Sequence, residues 1–145
     1  MKKIINNKVY DTDTAKLCGD WDNGYYTNDF NYCGEALYQK KTGEFFKHGF
    51  GGAMSKYASH SGNNSGWGEQ IKPLTYDEAR EWAEKHLDAD DYIGIFGEPN
   101  ESDETANLHI QISKAAYTKI KQAAAKQGVS LAKYIESIVL NGIKV

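Results

Sequence analysis

The chain is poor in cysteine and proline, with two of each in 145 residues. Cys18 and Cys33 stand in no CxxC spacing and have no histidine cluster beside them, so neither a disulfide framework nor a zinc site is expected. They read as reduced, partly buried thiols. Long apolar runs are also missing: nothing approaches the eighteen or so consecutive apolar residues of a membrane span. The N-terminal MKKIINNKVYD starts basic but has no apolar core behind it, which argues against a secretory signal. A cytoplasmic protein with no membrane partner is the expectation. Catalytic signatures are absent too. The glycine-rich stretch Gly49–Gly68 contains no Walker pattern and follows no βαβ strand. Ser55, Ser59, Ser61 and Ser65 lie near His48 and His60 in sequence, but no GxSxG elbow or ordered triad frames them. Asp11, Asp13, Asp20 and Asp22 lack the register of a calcium loop and read as turn residues on a solvated acidic face. We therefore expect no enzyme activity, no metal and no cofactor.

Charge is present in both signs but unevenly placed. The formal net charge is −3. Residues 1–98 hold eleven Lys/Arg against sixteen Asp/Glu, whereas residues 108–145 hold six Lys against one Glu. A basic module behind an acidic body is the asymmetry that a nucleic-acid-binding tail produces, and a solvated lysine face on a helix produces it equally well. Between the two lies NESDETAN, with three acids and no large apolar residue, which reads as a linker. The organisation expected is a body over 1–98, a linker over 99–107 and a C-terminal module over 108–145.

The body holds sixteen of the eighteen aromatic residues. Lys3–Ile5 and Val9–Tyr10 read as short strands about an Asn6–Asn7 turn, and Ala15–Cys18 as an extension of the sheet. ALYQKKTGEFF reads as a hairpin turning at Lys41–Thr42–Gly43. Met54–Ala58 is expected to be a short helix and Gly49–Gly68 mostly a long surface loop. TYDEAREWAEKHL is the clearest helix, with Thr75 as N-cap, Glu78 completing a capping box, and Ala79, Trp82, Ala83 and His86 near one stripe. DYIGIFG is expected to close the domain as a strand. The fold class expected is α+β, a small antiparallel sheet with one main helix. Tyr25, Tyr26, Tyr32 and Tyr38 are candidates for an aromatic contact surface, with core and edge packing as the alternative.

In the C-terminal module, Ile110 and Ile112 alternate with His109, Gln111 and Ser113 as in a strand. A helix follows from about Lys114 to Gln127 and ends at Gly128. Ser130 is placed to cap a second helix whose apolar face is Leu131, Tyr134, Ile135, Ile138 and Val139. LHIQIS, the first helix, the glycine and the entry GVSLAKYI resemble, in order and spacing, the ribbon-helix-helix fold of Arc, CopG and HicB-type regulators. That resemblance implies a homodimer with a core of Ile110, Ile112, Leu131, Tyr134, Ile135 and Ile138. It implies a two-stranded ribbon in the major groove of an operator, reading bases through His109, Gln111 and Ser113. Lys114 would contribute to DNA binding, and the N–H groups near Val129, Ser130 and Leu131 would hold a phosphate. The outward face lacks the Arg or Lys common in that family, and Ser113 stands where the family often has proline, a position suited to capping. No segment resembles the HicB antitoxin body.

The series YDTDTAK, LYQKKTGEFF, GGAMSKYA and IKPLTYDEA in the body is similar to a small domain of uncharacterised proteins from bacterial and mobile-element genomes, some associated with anti-CRISPR candidates. Two functions are thus expected. One is a DNA-binding transcriptional regulator, such as an antitoxin-like autorepressor with a partner-binding body. The other is an anti-defence inhibitor whose acidic body meets a basic or nucleic-acid-binding protein and whose C-terminal module dimerises.

Overall fold

The computed structural model describes residues 1–101 and 108–143. It is an α+β chain that divides into two compact units, Met1–Thr105 and Ala106–Val145. The first unit opens with β1 (Lys2–Ile5) and β2 (Lys8–Asp11), an antiparallel hairpin. Asn6 and Asn7 both take positive φ (50° and 64°), which Asn tolerates better than most residues and which matches the twist of a two-residue hairpin. The main sheet follows: β3 (Lys16–Asp22), β4 (Cys33–Gln39), β5 (Phe45–Gly51) and β8 (Gly68–Leu74), all antiparallel in the order β3-β4-β5-β8. The β4–β5 turn falls where expected, with the Gly43 N–H donating to the Lys40 carbonyl at 2.9 Å. Strand β3 runs four residues beyond the expected Cys18.

Register assigns the two faces of this sheet. On one face lie Trp21, Glu35, Leu37, Phe45, Lys47, Gly49, Gln70 and Lys72, because residues directly opposite in an antiparallel pair share a face. Leu37 and Phe45 pack there against Ala79, Trp82 and Ala83 of α1 (Tyr76–His86). On the other face Phe46 and Ile71 pack with Tyr10 of the β1–β2 hairpin, flanked by Met1, Ile5, Ala15 and Tyr38. The sheet is therefore sandwiched between a helix and a hairpin.

The expected N-terminus of α1 is observed. Thr75 Oγ1 accepts the Glu78 N–H at 3.1 Å and Glu78 Oε1 accepts the Thr75 N–H at 3.0 Å, a complete capping box.

Three expectations for the body are corrected. DYIGIFG is not a strand: α2 spans Ala89–Phe96, capped by Asp88, whose carboxylate accepts the Asp91 N–H at 2.8 Å. Tyr92, Ile95 and Phe96 sit at helical spacing and pack toward the Leu37–Trp82 core, so the period of their burial decides the conformation. The body thus carries two helices instead of one. Met54–Ala58 is a series of turns, because the Ser55 hydroxyl bonds the Gly52 carbonyl at 2.8 Å and the Tyr57 N–H at 3.3 Å and so competes with helical pairing. Gly49–Gly68 is not one long loop: it finishes β5, forms the hairpin β6 (Ser59–Ser61) and β7 (Asn64–Gly66), and starts β8.

The second unit contains α3 (Lys114–Gln127) and α4 (Leu131–Ile143). Ser113 caps α3 through the Ala116 N–H at 3.1 Å, and Ser130 caps α4 through the Lys133 N–H at 3.2 Å. Gly128, at φ 68°, takes the left-handed conformation that ends α3, and the Val129 N–H returns to the Ala124 carbonyl at 3.2 Å. Leu108–Ser113, expected to be a strand, has no regular secondary structure and pairs with no strand among the described residues. A ladder needs a second strand, and the ribbon expected here takes its second strand from another copy of the chain. No helix among the described residues is long and apolar enough to cross a membrane.

Replacing Thr75 by Ala removes one half of the capping box, and we expect a loss of about 1 kcal/mol in unfolding free energy. Urea denaturation checks this; an unchanged midpoint would show that the cap adds nothing to α1 beyond tertiary packing.

Candidate functional site

Glu35 lies on the inward face of the central strand β4, where its neighbour on the same face, Leu37, belongs to the core. Its side chain is 2 % exposed. A carboxylate taken that far from water is stable only when its oxygens are fully hydrogen-bonded and its charge is met. Both conditions hold. Oε1 accepts the Trp82 indole N–H from α1 at 3.0 Å. Oε2 accepts the Tyr57 hydroxyl and faces the ammonium groups of Lys56 at 3.0 Å and Lys47 at 3.1 Å. His86 Nε2 stands 3.9 Å from Oε1, its ring packed against Trp21 at a tilt of 37° with centroids 4.4 Å apart.

The sheet makes room for this arrangement by leaving a side chain out. Gly49 is the residue opposite Glu35 on β5, and the Tyr57 ring lies directly over it. A Cβ at Gly49 would fall 2.0 Å from the ring, so no other residue fits without moving Tyr57. The glycine-rich composition of this region thus serves close packing of an aromatic ring on a sheet.

Burial pushes the Glu35 carboxyl up, but the hydrogen bonds from Tyr57, Lys56, Trp82 and Lys47 outweigh it and hold the pKa at about 2. Burial and the adjacent Glu35 charge push the Tyr57 phenol far above its ordinary range. Burial lowers His86 from its usual value, against the pull of Glu35. Near neutral pH, then, Glu35 is ionised, Tyr57 protonated and His86 neutral. Glu35 and Tyr57 are therefore held far from exchanging a proton near neutral pH.

Beside the cluster is a groove of about 360 Å³ lined by Lys47, Lys56, Tyr57, Gln70 and Lys72. Among the described residues no group of three or more His, Cys, Asp or Glu side chains could hold a metal ion.

None of the residues of this cluster was singled out from the sequence as a site. The available signal was Glu35 itself, an acid between small and apolar residues at an inward strand position in CGEALYQ. Other sequence expectations divide. Tyr25 and Tyr26 are exposed, but Tyr32 is buried and Tyr38 stacks on Phe46 with centroids 5.3 Å apart, so the four tyrosines form no single surface. Asp11 is buried and organises the turn after β2 by accepting the Asp13 N–H at 2.9 Å; it is not part of a solvated face. Asp20 and Asp22 stand in β3 and are exposed. His60 is exposed, whereas His48 is partly buried and pairs with Glu69 at 3.2 Å.

In the second unit, His109, Ile110, Gln111 and Ile112 lie exposed in the segment before α3. The Ser113 hydroxyl is engaged in capping α3, of which Lys114 is the first residue. Val129, Ser130 and Leu131 come together at the α3–α4 corner, but the Val129 N–H is taken by Ala124 as part of the C-cap and cannot hold a phosphate without opening that turn. Leu131, Tyr134 and Ile135 are half-buried, and Ile138 is exposed. Comparison of the chain with protein-family models, curated proteins and solved structures gives no match.

The fixed charge of Glu35 links stability to pH. Its pKa falls from 4.5 to about 2 on folding, so its contribution is fully present above 4.5 and is lost as pH falls from 4.5 through 2. Glu35→Gln should abolish that acid-range dependence. It should also destabilise the protein at neutral pH by about 3 kcal/mol, since it leaves the largely buried Lys47 without its counter-charge, whereas the exposed Lys56 regains water. Chemical denaturation of both proteins between pH 7 and pH 3 decides it; coincident stability curves would mean that the ion cluster is energetically idle.

Proposed function

We propose that the protein is a homodimeric DNA-binding regulator that joins a ribbon-helix-helix module, residues 108–145, to a ligand- or partner-binding body. Autorepression, as by an antitoxin, is one form of this. The observation that carries the proposal is a mismatch in the second unit. Three of its helix boundaries are locally capped, by Ser113, Gly128 and Ser130. Its apolar side chains are not covered to match: Ile110, Ile112, Tyr117, Val129, Ile138, Val139, Leu140 and Ile143 are all exposed. Two short helices present too little surface to bury such residues within one copy, and a second copy would bury them and supply the partner for Leu108–Ser113.

DNA as the ligand is supported by charge, since residues 108–145 hold six Lys and one Glu. Gln111 supplies a side chain able to contact adenine through two hydrogen bonds, and Lys114 a phosphate contact. The body is read as a binding domain, because its buried Glu35–Tyr57 pair has proton affinities far from neutrality and a lysine-lined groove lies beside it.

A second reading has its own support. Tyr25, Tyr26, Phe30 and Met54 are exposed on neighbouring turns of the acidic body, with the Met54 N–H bonded to the Phe30 carbonyl at 2.8 Å. Exposed aromatics next to one another anchor protein interfaces, and an acidic surround steers basic partners. On that reading the protein is an anti-defence inhibitor of a basic or nucleic-acid-binding protein, and the C-terminal module serves dimerisation.

Sedimentation at micromolar concentration should give a dimer, and a monomer there refutes the proposal. In gel shifts with the DNA upstream of its own coding sequence, Gln111→Ala should weaken the specific complex by about 1–3 kcal/mol without changing the dimer. Lys114→Ala should weaken binding to all sequences and reduce its dependence on salt. A dimer that shifts no DNA at low salt would favour the inhibitor reading.

A further inference from the structure

The groove beside Glu35 contains more positive charge than Glu35 requires. Its lining presents three ammonium groups, Lys47, Lys56 and Lys72, with the Gln70 amide and Tyr57, and no acidic side chain. Lys47 and Lys56 both approach the same carboxylate oxygen from the groove side, at 3.1 and 3.0 Å, so one buried negative charge is shared by two positive ones. Lys72 lies directly opposite Lys47 across the β5–β8 pair, and among the described residues its one carboxylate partner is the exposed Glu78 at 4.0 Å, the outer limit of an ion pair. Gln70 is opposite Gly49, whose place on the sheet the Tyr57 ring covers, so an amide borders that ring.

We propose that this groove is a binding site for the phosphoryl group of a small phosphomonoester. Its size, about 360 Å³, is at the small end of ligand sites and fits a metabolite better than a polymer. Lysines supply compact point charges that suit a tetrahedral dianion, and a neutral amide adds a directional donor. Glu35 sits beneath the groove as a fixed anion that holds Lys47 and Lys56 in position before the ligand arrives, so the lysines lose little freedom on binding. Lys72 is the ammonium group left for the ligand. The site lies wholly in the first unit and does not depend on the proposed reading of DNA by the second.

The test is titration of the full-length protein with inorganic phosphate, and with adenosine monophosphate as a phosphomonoester, at constant ionic strength. Backbone amide shifts are followed by NMR and affinity by calorimetry, and malonate serves as a carboxylate dianion of similar charge. Saturable shifts are expected at residues 47, 56, 57, 70 and 72 with both phosphates, with malonate at least tenfold weaker. Lys72→Met and Gln70→Ala, which leave the partners of Glu35 in place, should each weaken phosphate roughly tenfold while the remaining spectrum is retained. Shifts that rise linearly without saturation, saturation that maps elsewhere, equal affinity for malonate, or affinity unchanged in both variants would each overturn the assignment.

Discussion

The first unit depends on the solvation of one carboxylate. Glu35 is drawn out of water on the central strand, and its oxygens are satisfied from three directions: α1 through Trp82, the turns before β6 through Lys56 and Tyr57, and β5 through Lys47. An unmet buried charge would be worth several kcal/mol against folding, so these elements cannot shift independently of one another. The apolar contacts of Leu37, Phe45 and Trp82 supply the bulk of the driving force, and the carboxylate specifies where the helix and the turns sit on the sheet.

The same geometry explains which parts of the fold were legible. Elements set by local chemistry were readable: the Asn6–Asn7 turn, the β4–β5 hairpin, the Thr75–Glu78 box, the ends of α3 and the cap of α4. Each is decided by residues within five positions of one another. Elements decided at a distance were misread. The Gly49–Gly68 stretch looked loose because glycine is ambiguous in sequence: it allows freedom, and it equally allows a ring to rest on the backbone, as Tyr57 does on Gly49. Tyr92, Ile95 and Phe96 allowed both a strand and a short helix, and packing against the Leu37–Trp82 core chose the helix.

The candidate site was illegible for a related reason. Its parts are scattered over β4, β5, β8, α1 and the turns before β6, and only the sheet register brings Glu35, Gly49 and Gln70 into line. Lysines in a mixed-charge chain carry no individual signal. In the second unit the helix caps were legible, but the strand expected over Leu108–Ser113 pairs with no other strand among the described residues.

The distances along the chain that Glu35 spans bear on the order in which the body assembles. Lys47 arrives with the β4–β5 hairpin itself, but the hydrogen-bond partners Tyr57 and Trp82 lie 22 and 47 residues away and are available only after the following turns and α1 have formed. Until then the carboxylate keeps part of its water. The strand that becomes the centre of the sheet therefore retains a hydrated, charged position through the early steps, and an early hairpin of β4 and β5 is protected from stacking through that face onto another chain. A residue that looks costly in the finished fold works, before the fold is finished, as a guard against premature association.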